Sequence, residues 1–173
     1  MLLGLVMVIT VVTYQQDTVT HKDSVPALAP APPPAPTIEQ IRYMAGLKTA
    51  TRGVAQIRDG VNRVVRTQQA DSLTRRRAAR RLGGLCGTAR SFIISGRPKM
   101  QATAYADSMR VLAKQLTVRL DSLNAALPTC EKTAGRDPTV ANTLTTRLKN
   151  YDDALTAFRA ALRPDSTKTA SQP

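Results

Sequence analysis

A chain of 173 residues with 42% apolar content can bury one real core, but aromatics at 3% and no tryptophan mean a core of Ala, Leu, Val and Ile. Lys and Arg number 25 against 12 Asp and Glu, and a net charge of +13 implies an acidic neighbour, whether nucleic acid, anionic headgroups or an acidic protein face. A single histidine and two cysteines leave no material for His-centred triads, zinc-water sites or covalent haem, so no cofactor, no metal and no catalysis are expected.

Residues 1–14, MLLGLVMVITVVTY, carry no charged side chain. As a helix this run reaches about 21 Å, short of the ~30 Å hydrocarbon thickness. It lacks a basic leading region, and the A-x-A matches at Ala27-Leu28-Ala29 and Ala29-Pro30-Ala31 lie far downstream, each followed by proline. The expectation is an uncleaved membrane anchor built on Leu2, Leu3, Leu5, Val6, Val8, Ile9, Val11 and Val12, in preference to a signal peptide. Residues 15–36 form a linker whose second half, VPALAPAPPPAP, is a stiff polyproline II spacer advancing ~3 Å per residue.

From residue 37 the apolar residues take a helical period, and the whole of 37–163 reads as an all-α, antiparallel bundle of four helices. The first helix opens on a capping box, Thr37 with Gln40, and places Tyr43, Leu47, Ala50, Val54, Ile57, Val61 and Val64 on one seam ending near Thr67. A turn over 68–71 leads to Asp71, which caps a second helix over 71–96. That helix puts Ala78, Leu82, Leu85, Cys86, Ala89, Phe92 and Ile93 on one face. Arg76, Arg77, Arg80 and Arg81 fall opposite, with Arg75 at the boundary. The pair Gly83-Gly84 marks a kink or a close helix crossing, and Gly96 with Pro98 ends the helix.

A third helix is expected over 99–127, with Tyr105, Met109, Leu112, Leu116, Leu120, Leu123 and Leu127 on its face and Pro128 as its stop. Asp137-Pro138 opens a fourth, striped by Val140, Leu144, Leu148, Tyr151, Leu155, Phe158 and Leu162, and residues 164–173 are a polar tail.

Cys86 and Cys130 form a disulfide if the domain is exported. A simple hairpin turning near Arg97 separates them beyond the ~7 Å that a bridge spans. Either the bond exists and residues 91–100 are extended, or Cys86 is a small buried hydrophobe. A metal site on two cysteines lacks ligands. Asp152-Asp153 reads as a solvated surface pair, and the tyrosines of the stripes as core rather than base-stacking platforms.

The arginine run is the one concentrated feature. Between Arg58 and Arg81 there are eight arginines and two aspartates, a balance of plus six. Arg75, Arg76, Arg77, Arg80 and Arg81, with Arg63 and Arg66 from the preceding helix, are therefore the candidate contacts for an anionic partner. These features together lead to the expectation of a non-catalytic accessory or scaffold subunit on the inner membrane of a bacterial cell envelope. Its bundle would lie in the periplasm, bound to an integral membrane protein complex and to headgroups. A photosynthetic reaction-centre, antenna or respiratory complex enters only by analogy with other extended-ended extrinsic subunits, on no matching residue. The alternative is a nucleic-acid or polyanion binder.

Overall fold

The computed structural model describes residues 35–137 and 139–163. The anchor residues Leu2 to Val12, most of the linker and the polar tail lie outside the described residues. Four helices follow one another: α1 Ile38–Arg66, α2 Ser72–Gly96, α3 Asp107–Thr133 and α4 Thr139–Leu162. Among the described residues there is no strand, and no helix is long and apolar enough to cross a membrane.

Each helix packs antiparallel against its neighbour in sequence, and α4 closes the ring on α1. The expected stripes form the core, except that Leu162 is exposed at the end of α4 and Val64, Leu85, Phe92, Met109 and Leu112 are half-buried at the core's margin. Tyr43, Ala50, Ile57, Cys86, Ile93, Leu116, Leu120, Leu127, Leu144 and Phe158 are fully buried, which gives each helix the apolar face that drives bundle formation. Thr37 and Gln40 make both bonds of the capping box. Asp137 starts α4 by accepting from the Thr139 backbone N–H at 2.8 Å and its hydroxyl at 2.7 Å.

α1 and α2 make the most extensive pairing, and they do so through glycine. Gly46, Gly53 and Gly60, seven residues apart, all face α2. A Cβ on Gly53 would stand 2.6 Å from the Ala89 carbonyl oxygen, and one on Gly96 would stand 2.5 Å from that of Gly46. Of the pair at 83–84, Gly83 faces the Glu131 carbonyl oxygen at 3.3 Å from an ideal Cβ while Gly84 faces open space. The pair therefore marks a close crossing with α3.

The third helix differs from expectation at both ends. Residues 99–106 are not its first two turns: Arg97–Lys99 and Ala102–Ala104 are short 3₁₀ segments in a connector. Tyr105 sits in that connector and is buried from there, edge-on to Tyr43 with ring centroids 5.2 Å apart. The helix also continues through Pro128 to Thr133. Proline removes one backbone bond, at roughly 3 kcal/mol in a helix interior, but the turn beyond it carries Cys130 and is followed by Ala134, both buried. Their packing holds the helix on course.

This connector resolves the cysteine geometry. Cys86 and Cys130 are bonded with Cα atoms 6.1 Å apart, and α2 is nonetheless helical to Gly96. The two alternatives read from the sequence were both incomplete, because the extended stretch lies after the helix. Arg97 forks onto Asp121 at 2.7 and 2.9 Å, and Asp121 is fourteen residues into α3. α3 therefore begins about 21 Å past the end of α2, at ~1.5 Å per residue. Counting eleven residues back from Arg97 and nine on from Asp121 brings both cysteines to one level.

Candidate functional site: the arginine end of the bundle

The C-terminus of α1, the N-terminus of α2 and the turn between α3 and α4 meet at one end of the bundle. The start of α2 there is rigidly defined. Asp71 accepts from the backbone N–H groups of Leu73 and Thr74 at 2.9 Å each and from the Thr74 hydroxyl at 2.6 Å. These bonds, the hydroxyl's first, hold its carboxyl below the usual range. The arginines then emerge from a fixed first turn, and all five, Arg75, Arg76, Arg77, Arg80 and Arg81, are exposed.

Their electrostatic setting is little opposed. Beyond the Asp71 cap α2 has no acidic residue in its first turn, so that one carboxylate is what offsets the positive end of the helix dipole on which Arg75 and Arg76 follow. Among the described residues none of the five meets a carboxylate within ion-pair distance. Two arginines elsewhere are engaged, Arg97 on Asp121 and Arg58 on Asp152 across α1 and α4, while others such as Arg42, Arg52 and Arg119 meet no carboxylate among the described residues either, so it is the density of the cluster that sets it apart. The Asp152-Asp153 pair is thus split between two partners, since Asp153 takes Lys149 at 2.8 Å.

Two clefts flank the first turns of α2. The smaller, of about 240 Å³, lies against α1 and is lined by Arg63, Thr67, Thr74, Arg77 and Arg81. Arg63 reaches Asp59 only at 3.8 Å, and its Nε is buried without a partner. Arg66 stays outside on the exposed side of α1, its Nε donating to the Asn62 carbonyl at 3.3 Å. The larger cleft, of about 500 Å³, lies on the other side and holds Arg75 and Arg76. It also holds Arg136 and Asp137 from the α3–α4 turn, over a wall that includes Val64, Leu82 and Ala141. Arg80 leans over that same turn, its Cγ 3.3 Å from where a Cβ of Gly135 would stand.

The seven expected contact residues are therefore brought to one end, where Arg63, Arg77 and Arg81 line one cleft and Arg75 and Arg76 the other, while Arg66 and Arg80 line neither. Arg136 is the member that the run did not signal. Its place just before the Asp137 cap was the available clue, because the start of α4 in an antiparallel bundle lies at the same end as the start of α2.

The rest of the molecule offers less chemistry. Among the described residues no three of His, Cys, Asp and Glu gather as metal ligands. Tyr43, Tyr105 and Phe158 form an aromatic cluster at the opposite end, with all three centroid separations between 5.2 and 5.5 Å. No protein-family model, no curated protein and no solved structure matches this chain.

Proposed function

We propose that the bundle is a non-catalytic accessory subunit that docks its arginine end on an anionic surface of a larger integral membrane complex, acidic loops or headgroups. The observation that carries this reading is the clustering of five exposed arginines within seven residues, on a helix whose start is capped and fixed. A solvated face needs no such concentration, and charges meant only for solubility are ordinarily interspersed with acids. The Cys86–Cys130 bond supports an oxidising compartment, hence the periplasmic side of a bacterial inner membrane. The apolar segment at residues 1–14 supports attachment to that membrane, with the Pro/Ala tract as spacer.

The test is extraction of native membranes in mild detergent, size separation, and identification of what migrates with this chain. Co-migration with a large integral complex supports the reading and names the partner. Recovery in the soluble fraction with nucleic acid replaces it with the polyanion binder, for which the same arginines would contact phosphates.

A further inference from the structure

The larger cleft differs from the arginine face around it in having a floor. Leu82 and Ala141 are buried core residues, and Val64 and Ala79 extend the same apolar wall to the opening. Its volume of about 500 Å³ falls within the range of small-molecule sites, roughly 300 to 1,000 Å³. Its charged groups come from two separate elements, Arg75 and Arg76 from α2 and Arg136 from the α3–α4 turn, and all three line the one cleft. Asp137 is the one acid in the lining, and it is already committed, accepting from Thr139 to start α4. Three guanidiniums less one carboxylate leave a charge of plus two, over an apolar wall.

We propose that this cleft binds a phosphate monoester carried on an apolar body. A phosphomonoester holds about −1.5 to −2 at pH 7 and offers three acceptor oxygens, matching the charge and the several N–H donors of the three guanidiniums. A phosphodiester or a single carboxylate brings one negative charge and leaves half of the excess unanswered. The apolar wall gives the remainder of the ligand somewhere to lie. Two sources share this chemistry, a phosphatidic acid in the membrane or a soluble phosphate ester. The inference deepens the proposed docking reading and rests on it for the choice of an anionic ligand.

The experiment is calorimetric titration of the full chain in a non-ionic detergent with dihexanoyl phosphatidic acid, dihexanoyl phosphatidylglycerol and glycerol 3-phosphate. The expected result is one saturable site for the phosphatidic acid, at least about tenfold tighter than for the phosphatidylglycerol. Arg136→Gln should weaken that site about tenfold, while the double variant Arg77→Gln, Arg81→Gln, which alters the other cleft, should leave it within about twofold. Glycerol 3-phosphate, which lacks the apolar body, should bind more weakly, and binding as tight as that of the phosphatidic acid would overturn the proposal. Titration with 1-naphthyl phosphate, a soluble ester with an apolar body, would assign the site to a soluble ester if it bound as tightly as the phosphatidic acid and to the lipid if it bound more weakly. Equal affinity for both lipids, no saturable binding, or equal losses in the two variants would overturn the proposal. Failure of the docking reading looks different, because it removes co-migration with the membrane complex whatever this titration gives.

Discussion

Burial of the fully enclosed ring pushes the phenol of Tyr43 up to about 12, against a lowering by the neighbouring Thr117 hydroxyl; in its neutral form the phenol donates to the Ala113 carbonyl at 3.2 Å. In the unfolded chain the same group ionises near 10. A folded-state value above the unfolded one means that the stabilisation is complete below pH ~10 and is lost as the pH climbs towards ~12, at up to about 1.4 kcal/mol per pH unit from this one residue. Tyr43→Phe should separate this titration from packing. The Ala113 carbonyl keeps a second donor, the Thr117 hydroxyl at 2.6 Å, so no acceptor is orphaned and the cost at pH 7 should be about 1 kcal/mol. Above pH 10 the variant should lose stability more slowly than the parent. Tyr105 and Tyr151 are also raised by burial, so the alkaline decline is reduced and not abolished. Urea midpoints followed by circular dichroism from pH 7 to 11.5 would show this; parallel declines in both proteins would mean that Tyr43 reaches solvent in the folded state.

At the level of elements the glycines separate two effects of one substitution. Gly53→Ala places a methyl group 2.6 Å from the Ala89 carbonyl, which α1 can escape only by moving away from α2, so a loss of about 1 to 3 kcal/mol is expected. Gly84→Ala meets nothing within 4 Å and should gain up to about 1 kcal/mol from helix propensity alone. Denaturation midpoints moving in opposite directions would verify the seam, whereas two gains would place α1 further from α2 than described. The disulfide is the other inter-element tie. Replacing both cysteines by alanine should cost about 4 kcal/mol for a closure spanning 44 residues, measured by the same unfolding curves. The stripes, the caps at Thr37, Asp71 and Asp137, and the count of four helices were legible in sequence because each depends on residues within a few positions of one another. The start of α3 was not, because Tyr105 continues the apolar period of that helix while standing in the connector; periodicity records which residues are buried and not which backbone buries them. The passage of α3 through Pro128 was hidden for a related reason, since the packing of Leu127 and Cys130 outweighs a local preference. Five of the arginines could be placed on the first turns of α2 by their spacing, but their division between two clefts could not, because the larger cleft needs the α3–α4 turn beside α2.

Over the whole molecule the cations outnumber the acids nearly everywhere, so any attachment through charge has two explanations, the local arginine cluster or the net charge of +13. Substitution with a matched control distinguishes them. Arg76, Arg77, Arg80 and Arg81 changed together to Gln remove four charges from the cluster, and Arg42, Arg52, Lys114 and Arg119 changed to Gln remove four from exposed positions elsewhere. None of these eight residues takes part in an ion pair among the described residues, so both variants should keep the helical fold, and the cluster variant should be equal to the parent or slightly more stable as like charges are relieved. If the arginine end docks as a unit, washing membranes with increasing salt should release the cluster variant at far lower ionic strength than the control, which should behave as the parent. Screening at physiological salt acts over about 8 Å, so charges on remote surfaces contribute little to a docked contact, and the two variants should diverge most at and above that salt. Equal release of both would assign attachment to the overall field of a basic protein, and the fixed first turn of α2 would then have no bearing on where the subunit sits.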